Sequence, residues 1–327
     1  MIRLLCLGVC LAVAPTVFAD KPSVEIEDSS ESKLDFLECD QVVFLGDSNL
    51  HAGEWLVQFE AAVLDQYGKS PEMVNLGLAS ETCSGLSEPT HPFPRPCVLE
   101  RIDRVLAKTQ PEIVVACYGV NDAIYHPFSE DRFAAFQSGI ETLIAKVKAS
   151  GANLVLITPP PFDPLPYQKS GHLAGRDAKV FSWETIYENY DSEVMARYAQ
   201  YIRSLQADVN LDVDLIVDVY SPLSEKLTQL RESDPDAMLT TDGIHLTKDG
   251  HAMFAKAVLS GLGLKDQLST NDELTNLVRK RQGVMHLAWL DHVGHQRPGV
   301  AKGLPMDKAK AQIDALDHGI RKMINHK

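Results

Sequence analysis

Val42-Val43-Phe44-Leu45-Gly46-Asp47-Ser48-Asn49-Leu50 is the stretch from which the fold can be read. Its first four residues are an unbroken apolar run, the pattern of a strand covered on both faces. Gly46, Asp47 and Ser48 then supply turn chemistry where that strand ends. Ligands in an open α/β sheet bind at the carboxyl ends of the strands, so this turn delivers one small hydroxyl to the functional edge.

Working outward, apolar runs with β-branched residues occupy 41–45, 73–76, 113–117, 153–158 and 215–219. Each reads as a buried parallel strand. Helical periods lie between them at 54–67, 98–108, 130–148, 191–206 and 248–262. Gly151 stops the third of these, and Thr247 is a candidate N-cap for the last. The alternation predicts an α/β chain: a three-layer α/β/α sandwich of flavodoxin-like type with a parallel five-stranded sheet. Three long segments, 80–97, 122–128 and 158–187, all follow strands and gather at the same edge. Segments of that length in a compact domain are usually functional. The third carries Tyr167 and Trp183, amphipathic rings expected at a substrate rim.

Three further blocks complete a constellation with Gly46-Asp47-Ser48. They are Asn75-Leu76-Gly77-Leu78-Ala79, Tyr118-Gly119-Val120-Asn121-Asp122 and Thr241-Asp242-Gly243-Ile244-His245-Leu246. In this order, across residues 41–262, the four blocks resemble the SGNH (GDSL-type) hydrolase superfamily. One departure is visible, since Asn49 stands where the name-giving tetrapeptide has Leu.

The resemblance implies acyl transfer by a serine esterase. Ser48 is then the nucleophile, His245 the base that takes its proton, and Asp242 the carboxylate that orients the imidazole. The oxyanion hole is implied to consist of the backbone N–H groups of Ser48 and Gly77 and the side-chain amide of Asn121, with the bare Gly77 allowing close approach of substrate. His51 and His251 lie near the blocks but lack an Asp three residues before them. No metal and no organic cofactor is expected.

Composition and the chain ends bound the setting. Residues 1–19 hold one basic residue, Arg3, then an apolar stretch that closes on Val17-Phe18-Ala19, which reads as a secretory signal peptide and predicts export to periplasm or exterior. The formal net charge of −14 argues against nucleic acid and anionic membrane surfaces as partners. Beyond the signal remain Cys39, Cys83, Cys97 and Cys117, with no CxxC pair, so a thiolate zinc site is not expected. Export permits disulfides, and Cys83 with Cys97, which bracket one loop, are the pair expected to bond.

The domain reading is a signal peptide at 1–19, a polar solvated leader at 20–40, a catalytic domain at 41–265 and a helical C-terminal appendage at 266–327. The appendage contains a periodic region from Ser269 and an amphipathic helix from Met306 to Met323. His286, His292 and His295 lack a carboxylate or Cys at ligand spacing and are read as non-metal residues. The expected function is hydrolysis of short acyl esters, O-acetyl groups on carbohydrate above all. A short-chain lipase or lysophospholipase is the alternative enzyme, and a catalytically silent glycan-binding relative is the alternative of another class.

Overall fold

The computed structural model describes residues 34–208 and 210–325. The signal-peptide reading and most of the polar leader therefore lie outside the described residues. The five long strands are β1 (Gln41–Gly46), β2 (Glu72–Asn75), β3 (Ile113–Cys117), β4 (Asn153–Ile157) and β7 (Leu215–Val217). They form one sheet in the order β2-β1-β3-β4-β7. Every pairing is parallel, with Phe44 opposite Val115 and Gly46 opposite Cys117. The expected flavodoxin-like sandwich is observed. The chain runs from β1 to β2 on one side and then crosses to β3 on the other. That reversal opens a crevice at the carboxyl ends of β1 and β3.

Because the side chains of a strand alternate, the sheet divides its apolar residues between two cores. Val43, Leu45, Val114, Ala116, Leu154 and Leu156 face helices α3 (Val98–Thr109), α4 (Glu130–Ala149) and α6 (Ala196–Ser204). Val42, Phe44, Ile113, Val115, Val155 and Ile157 face α2 (Glu54–Tyr67), α7 (Tyr220–Ser233) and α8 (Lys248–Gly261). Thr247 caps α8 as expected, its side chain accepting from the Gly250 N–H. Three elements were not legible in the sequence: α7, the short α5 (Pro164–Ser170), and a two-stranded parallel ribbon of β5 (Leu173–Ala174) and β6 (Ile186–Tyr187). The last two give internal structure to the long segment after β4. The polar leader also needs correction at its end, where Leu34 and Phe36 are buried and the Phe36 ring meets Phe59 edge-on at 5.5 Å.

Helices α9 (Asp272–Val293) and α10 (Met306–Ile324) follow, as the periodicity of the tail predicted. They are part of one compact unit with the sheet. Leu274 and Val278 of α9 pack on Val57, Ala61 and Leu64 of α2, while Trp289, Leu290 and Val293 join the first core. Between these contacts, α9 lies along edge strand β2. Gln282 Nε2 donates to Met73 O at 3.0 Å, and His286 Nδ1 lies 3.1 Å from Asn75 O. Covering an edge strand removes a template for unwanted pairing and satisfies carbonyls that β1 cannot reach. Among the described residues no helix is long and apolar enough to cross a membrane.

The tail is thus a structural wall of the sheet domain. Trp289 is 6% exposed, so Trp289→Ala leaves a large cavity and is expected to cost about 3–5 kcal/mol. Chemical denaturation of the full chain checks this; a loss below about 1 kcal/mol would mean that the tail packs only loosely.

Candidate active site

β1 ends at Gly46, and the turn that follows opens directly into a one-turn helix, α1 (Ser48–His51). Asp47 caps it, its Oδ1 accepting from Asn49 N at 3.0 Å. Ser48 is the first helical residue, where a backbone N–H has no intrahelical acceptor. Asp47 itself is buried, and burial raises its pKa to about 6 against the opposing bond from the Asn49 N–H.

The second half of the site comes from the loop before α8. Gly243 adopts φ +88°, and a Cβ there would stand 2.5 Å from Asp163 O, so the Asp242–His245 turn requires glycine at that place. The turn is fastened from within: Asp242 Oδ1 accepts from the backbone N–H groups of Ile244 at 3.0 Å and His245 at 2.8 Å. This leaves Asp242 Oδ2 for the ring, 2.6 Å from His245 Nδ1. On the far side of the imidazole, Nε2 lies 2.9 Å from Ser48 Oγ. Ser48, His245 and Asp242 therefore form one continuous hydrogen-bonded chain.

The electrostatics follow from that chain. The Asp242 bond raises the pKa of His245 above its ordinary 6.5, outweighing burial, with Asp47 adding to the rise. Burial pushes the Asp242 carboxyl up, but its bonds with His245 win and hold it below the usual range. A neutral imidazole here has Nδ1–H bonded to the carboxylate and a free Nε2 lone pair aimed at the serine hydroxyl, the tautomer that proton removal requires.

Asn49, the departure from the expected Leu, joins the two halves. Its Nδ2 donates to Ile244 O at 3.1 Å and its Oδ1 accepts from Leu246 N at 3.1 Å. Those two residues flank His245. The side chain next to Ser48 thus grips the chain on both sides of the imidazole.

Asn121 follows β3 in a tight turn and lines the same cavity as Ser48. Its Oδ1 accepts from Tyr125 OH at 2.6 Å, and its Nδ2 donates to Glu81 O at 3.1 Å. One amide hydrogen remains available, because the amide carries two donors.

Gly77 must be corrected. Its N–H is already given to Asn75 Oδ1 at 2.8 Å, and it does not line the cavity. The absence of its side chain serves packing: a Cβ would stand 2.5 Å from His51 N and 2.6 Å from Leu50 C, inside the backbone of α1. Ser80, three residues on, is the residue that sequence reasoning missed. It lines the cavity beside Ser48 and Asn121, and its N–H has no bond among the described residues. Its φ of +68° is left-handed, which glycine adopts easily and serine at a cost of about 1–3 kcal/mol. Ile124 and Tyr125, at φ +47° and +62°, carry the same kind of strain in the turn after Asn121. A single left-handed serine leaves no mark in sequence.

Tyr167 and Trp183 do reach the cavity, whose volume is about 830 Å³. The Tyr167 hydroxyl donates to Trp183 O at 2.6 Å, and Trp183 is 41% exposed. The expected Cys83–Cys97 bond is not present; both thiols are free. Cys83 is sunk in the first core, and Cys97 Sγ faces the Cys83 carbonyl oxygen at 3.8 Å, not its sulfur. His51 and His251 stand away from the Ser48 hydroxyl chain, His51 Nδ1 lying 3.2 Å from His286 Nε2. Among the described residues no group of His, Cys, Asp or Glu is placed to hold a metal ion.

The reading of Gly77 can be checked by Gly77→Ala. The added methyl must displace the backbone behind Ser48, so a stability loss of about 1–3 kcal/mol is expected, read from the denaturant midpoint. An unchanged midpoint would return Gly77 to an open, substrate-facing position.

Comparison with known proteins agrees with this architecture. The family model of the GDSL-like lipase/acylhydrolase family matches residues 44–253, more than half of the chain. No curated protein matches. Among solved structures, a catalytic mutant of an acetylxylan esterase from Geobacillus stearothermophilus superposes with a TM-score of 0.51 at 16% identity, over 70% of this chain and 97% of that one. A gut microbial diltiazem-metabolizing enzyme superposes with a TM-score of 0.52 at 19% identity over 71% of this chain, which spans only 48% of that enzyme's length. At such identities these likenesses concern the fold. The family match, joined to the four blocks placed around one crevice, establishes that this chain belongs to the GDSL-like lipase/acylhydrolase family and is a carboxylic-ester hydrolase.

Proposed function

We propose that Ser48 is the nucleophile of this hydrolase, His245 its general base and Asp242 the carboxylate that orients and charges the base. The observation that carries the reading is the unbroken chain from Asp242 Oδ2 through the imidazole to Ser48 Oγ, with bonds of 2.6 and 2.9 Å. Ser48 Oγ adds to the ester carbonyl as His245 takes its proton. The imidazolium then returns that proton to the leaving alcohol. Water repeats the sequence on the acyl-enzyme, freeing the acid and restoring Ser48. The oxyanion of each tetrahedral intermediate is received by the N–H groups of Ser48 and Ser80 and the free amide hydrogen of Asn121. Each such donor is worth about 10² to 10³ in rate.

Ser48→Ala and His245→Ala are expected to lose nearly all ester hydrolysis, and Asp242→Asn somewhat less. The pH profile adds an independent readout. Protonated His245 cannot act as base, and its raised pKa keeps it protonated to higher pH, so activity falls as pH drops through a midpoint above 6.5. Asp242→Asn removes the main cause of the rise and moves that midpoint down. A Ser48→Ala protein within tenfold of the parent rate would overturn the assignment.

The substrate we propose is an acyl ester of a carbohydrate, with acetyl as the acyl group. The cavity is far larger than an acetyl group, and Tyr167 and Trp183 offer ring faces at its wall, suited to sugars that are apolar on one side and wet on the other. The acetylxylan esterase shares the fold and is consistent with this choice. Residues 1–19 support export, which would place the enzyme beside such polymers. Rates on p-nitrophenyl esters are expected to fall from acetyl through butyryl to octanoyl. Trp183→Ala should lower kcat/KM for acetylated glycan several-fold relative to p-nitrophenyl acetate. Faster cleavage of octanoyl than acetyl esters would favour the lipase reading instead.

A further inference from the structure

Resting on the esterase reading above, we propose that Arg297 is a specificity-determining residue that binds a carboxylate on the alcohol side of the substrate, so that the preferred ester is an acylated acidic sugar. Arg297 lies between α9 and α10, outside the 44–253 match, yet it lines the same cavity as Ser48 and His245. The wall covering strand β2 thus sends one cation back to the catalytic edge.

Its position is held by the protein. Nε donates to Ala79 O at 2.7 Å, Nη1 donates to Pro298 O at 2.9 Å, and the guanidinium sits 5.1 Å from the centroid of the Phe93 ring, another residue of the cavity wall. Nη2 makes no bond among the described residues, and the side chain is half-buried. An arginine fork with its long stem already fixed and donors unspent is pre-organised for a carboxylate.

The neighbouring charges single it out. Arg95 also lines the cavity, but its guanidinium is closed in a buried pair with Glu88 at 2.6 and 2.7 Å. Glu88 raises the pKa of Arg95 against burial, whereas burial alone acts on Arg297 and lowers its pKa. No carboxylate among the described residues pairs with Arg297. Of the two acids lining the cavity, Asp242 is spent on His245, and Glu184 is exposed on the segment that carries Trp183. One unpaired guanidinium beside two carboxylates suits a monoanion; a dianionic phosphate would meet more repulsion than one cation offsets.

The test compares acetate release from an acetylated methyl glucuronoside with release from its uncharged carboxamide. The readout is the ratio of kcat/KM values. The wild type should favour the acid by about tenfold at low salt, and the ratio should shrink toward one at about 0.5 M salt. Arg297→Gln should bring the ratio to about one at any salt, and Arg297→Lys should keep part of it. Because both substrates share the acetyl ester, any change in absolute rate caused by loosening Ala79 divides out. A wild-type ratio near one, or a ratio that survives Arg297→Gln, overturns the proposal while leaving the esterase reading intact. Absence of p-nitrophenyl acetate hydrolysis by the wild type would sink the esterase reading itself.

Discussion

Two hydrogen bonds from the Asn49 side chain join segments separated by almost two hundred residues, and the reactive geometry depends on that join. The serine turn is fixed by β1, a strand buried on both faces. The histidine turn belongs to a loop outside the sheet, fastened by its own turn bonds and by the Asp163 N–H to Gly243 O at 3.0 Å. By bonding Ile244 O and Leu246 N, Asn49 transfers the rigidity of the sheet to the backbone on either side of His245. A leucine at that place could pack but could not fix an orientation, since dispersion contacts have no direction.

The same economy shapes the other walls of the site. Gly77 lets the chain after β2 press against the backbone of α1, so the loop that carries Ser80 starts from a fixed point. Arg95 and Arg297 then hold the carbonyls of Ser80 and Ala79 at 3.3 and 2.7 Å. With both carbonyls tied by arginines and φ of Ser80 positive, the Ser80 N–H is left without a partner among the described residues. Strain at Ser80, Ile124 and Tyr125 is borne by the buried pairs around them, Glu81 with Arg101 and Glu88 with Arg95. Such pairs contribute little net stability, but breaking one leaves an uncompensated buried charge, which keeps the loops in a single arrangement.

The C-terminal helices connect this edge to the rest of the molecule. α9 covers the side of the sheet that β2 would otherwise expose, and the chain after it places Arg297 at the cavity. A region needed to finish the fold thereby also reaches the functional edge. Because that region lies beyond the part shared with the family, it is where this chain can differ from its relatives in the alcohol it accepts.

The sequence by itself determined the sheet and the order of its strands along the chain, and it pointed to Ser48, Asp242, His245 and Asn121, which the fold brings to one cavity. Apolar runs ending in Gly, Asp and Asn turns report burial and chain reversal locally, within a few residues, and the short Asp242–His245 spacing reports a single turn. Only the tertiary structure decided which residues of the second block line the cavity and which N–H groups are spent within the protein. That choice depends on a left-handed φ at Ser80 and on the bond from Gly77 to Asn75, and a residue's letter specifies neither. The tertiary structure also left the Cys83 and Cys97 thiols unbonded although the residues are neighbours in space, with Cys83 sunk in a core and Cys97 Sγ set against its carbonyl oxygen. Lastly, it brought Arg297 to the cavity that Ser48 also lines: that meeting spans the whole domain, and no periodicity or spacing encodes a distance between segments that come together only after both have packed.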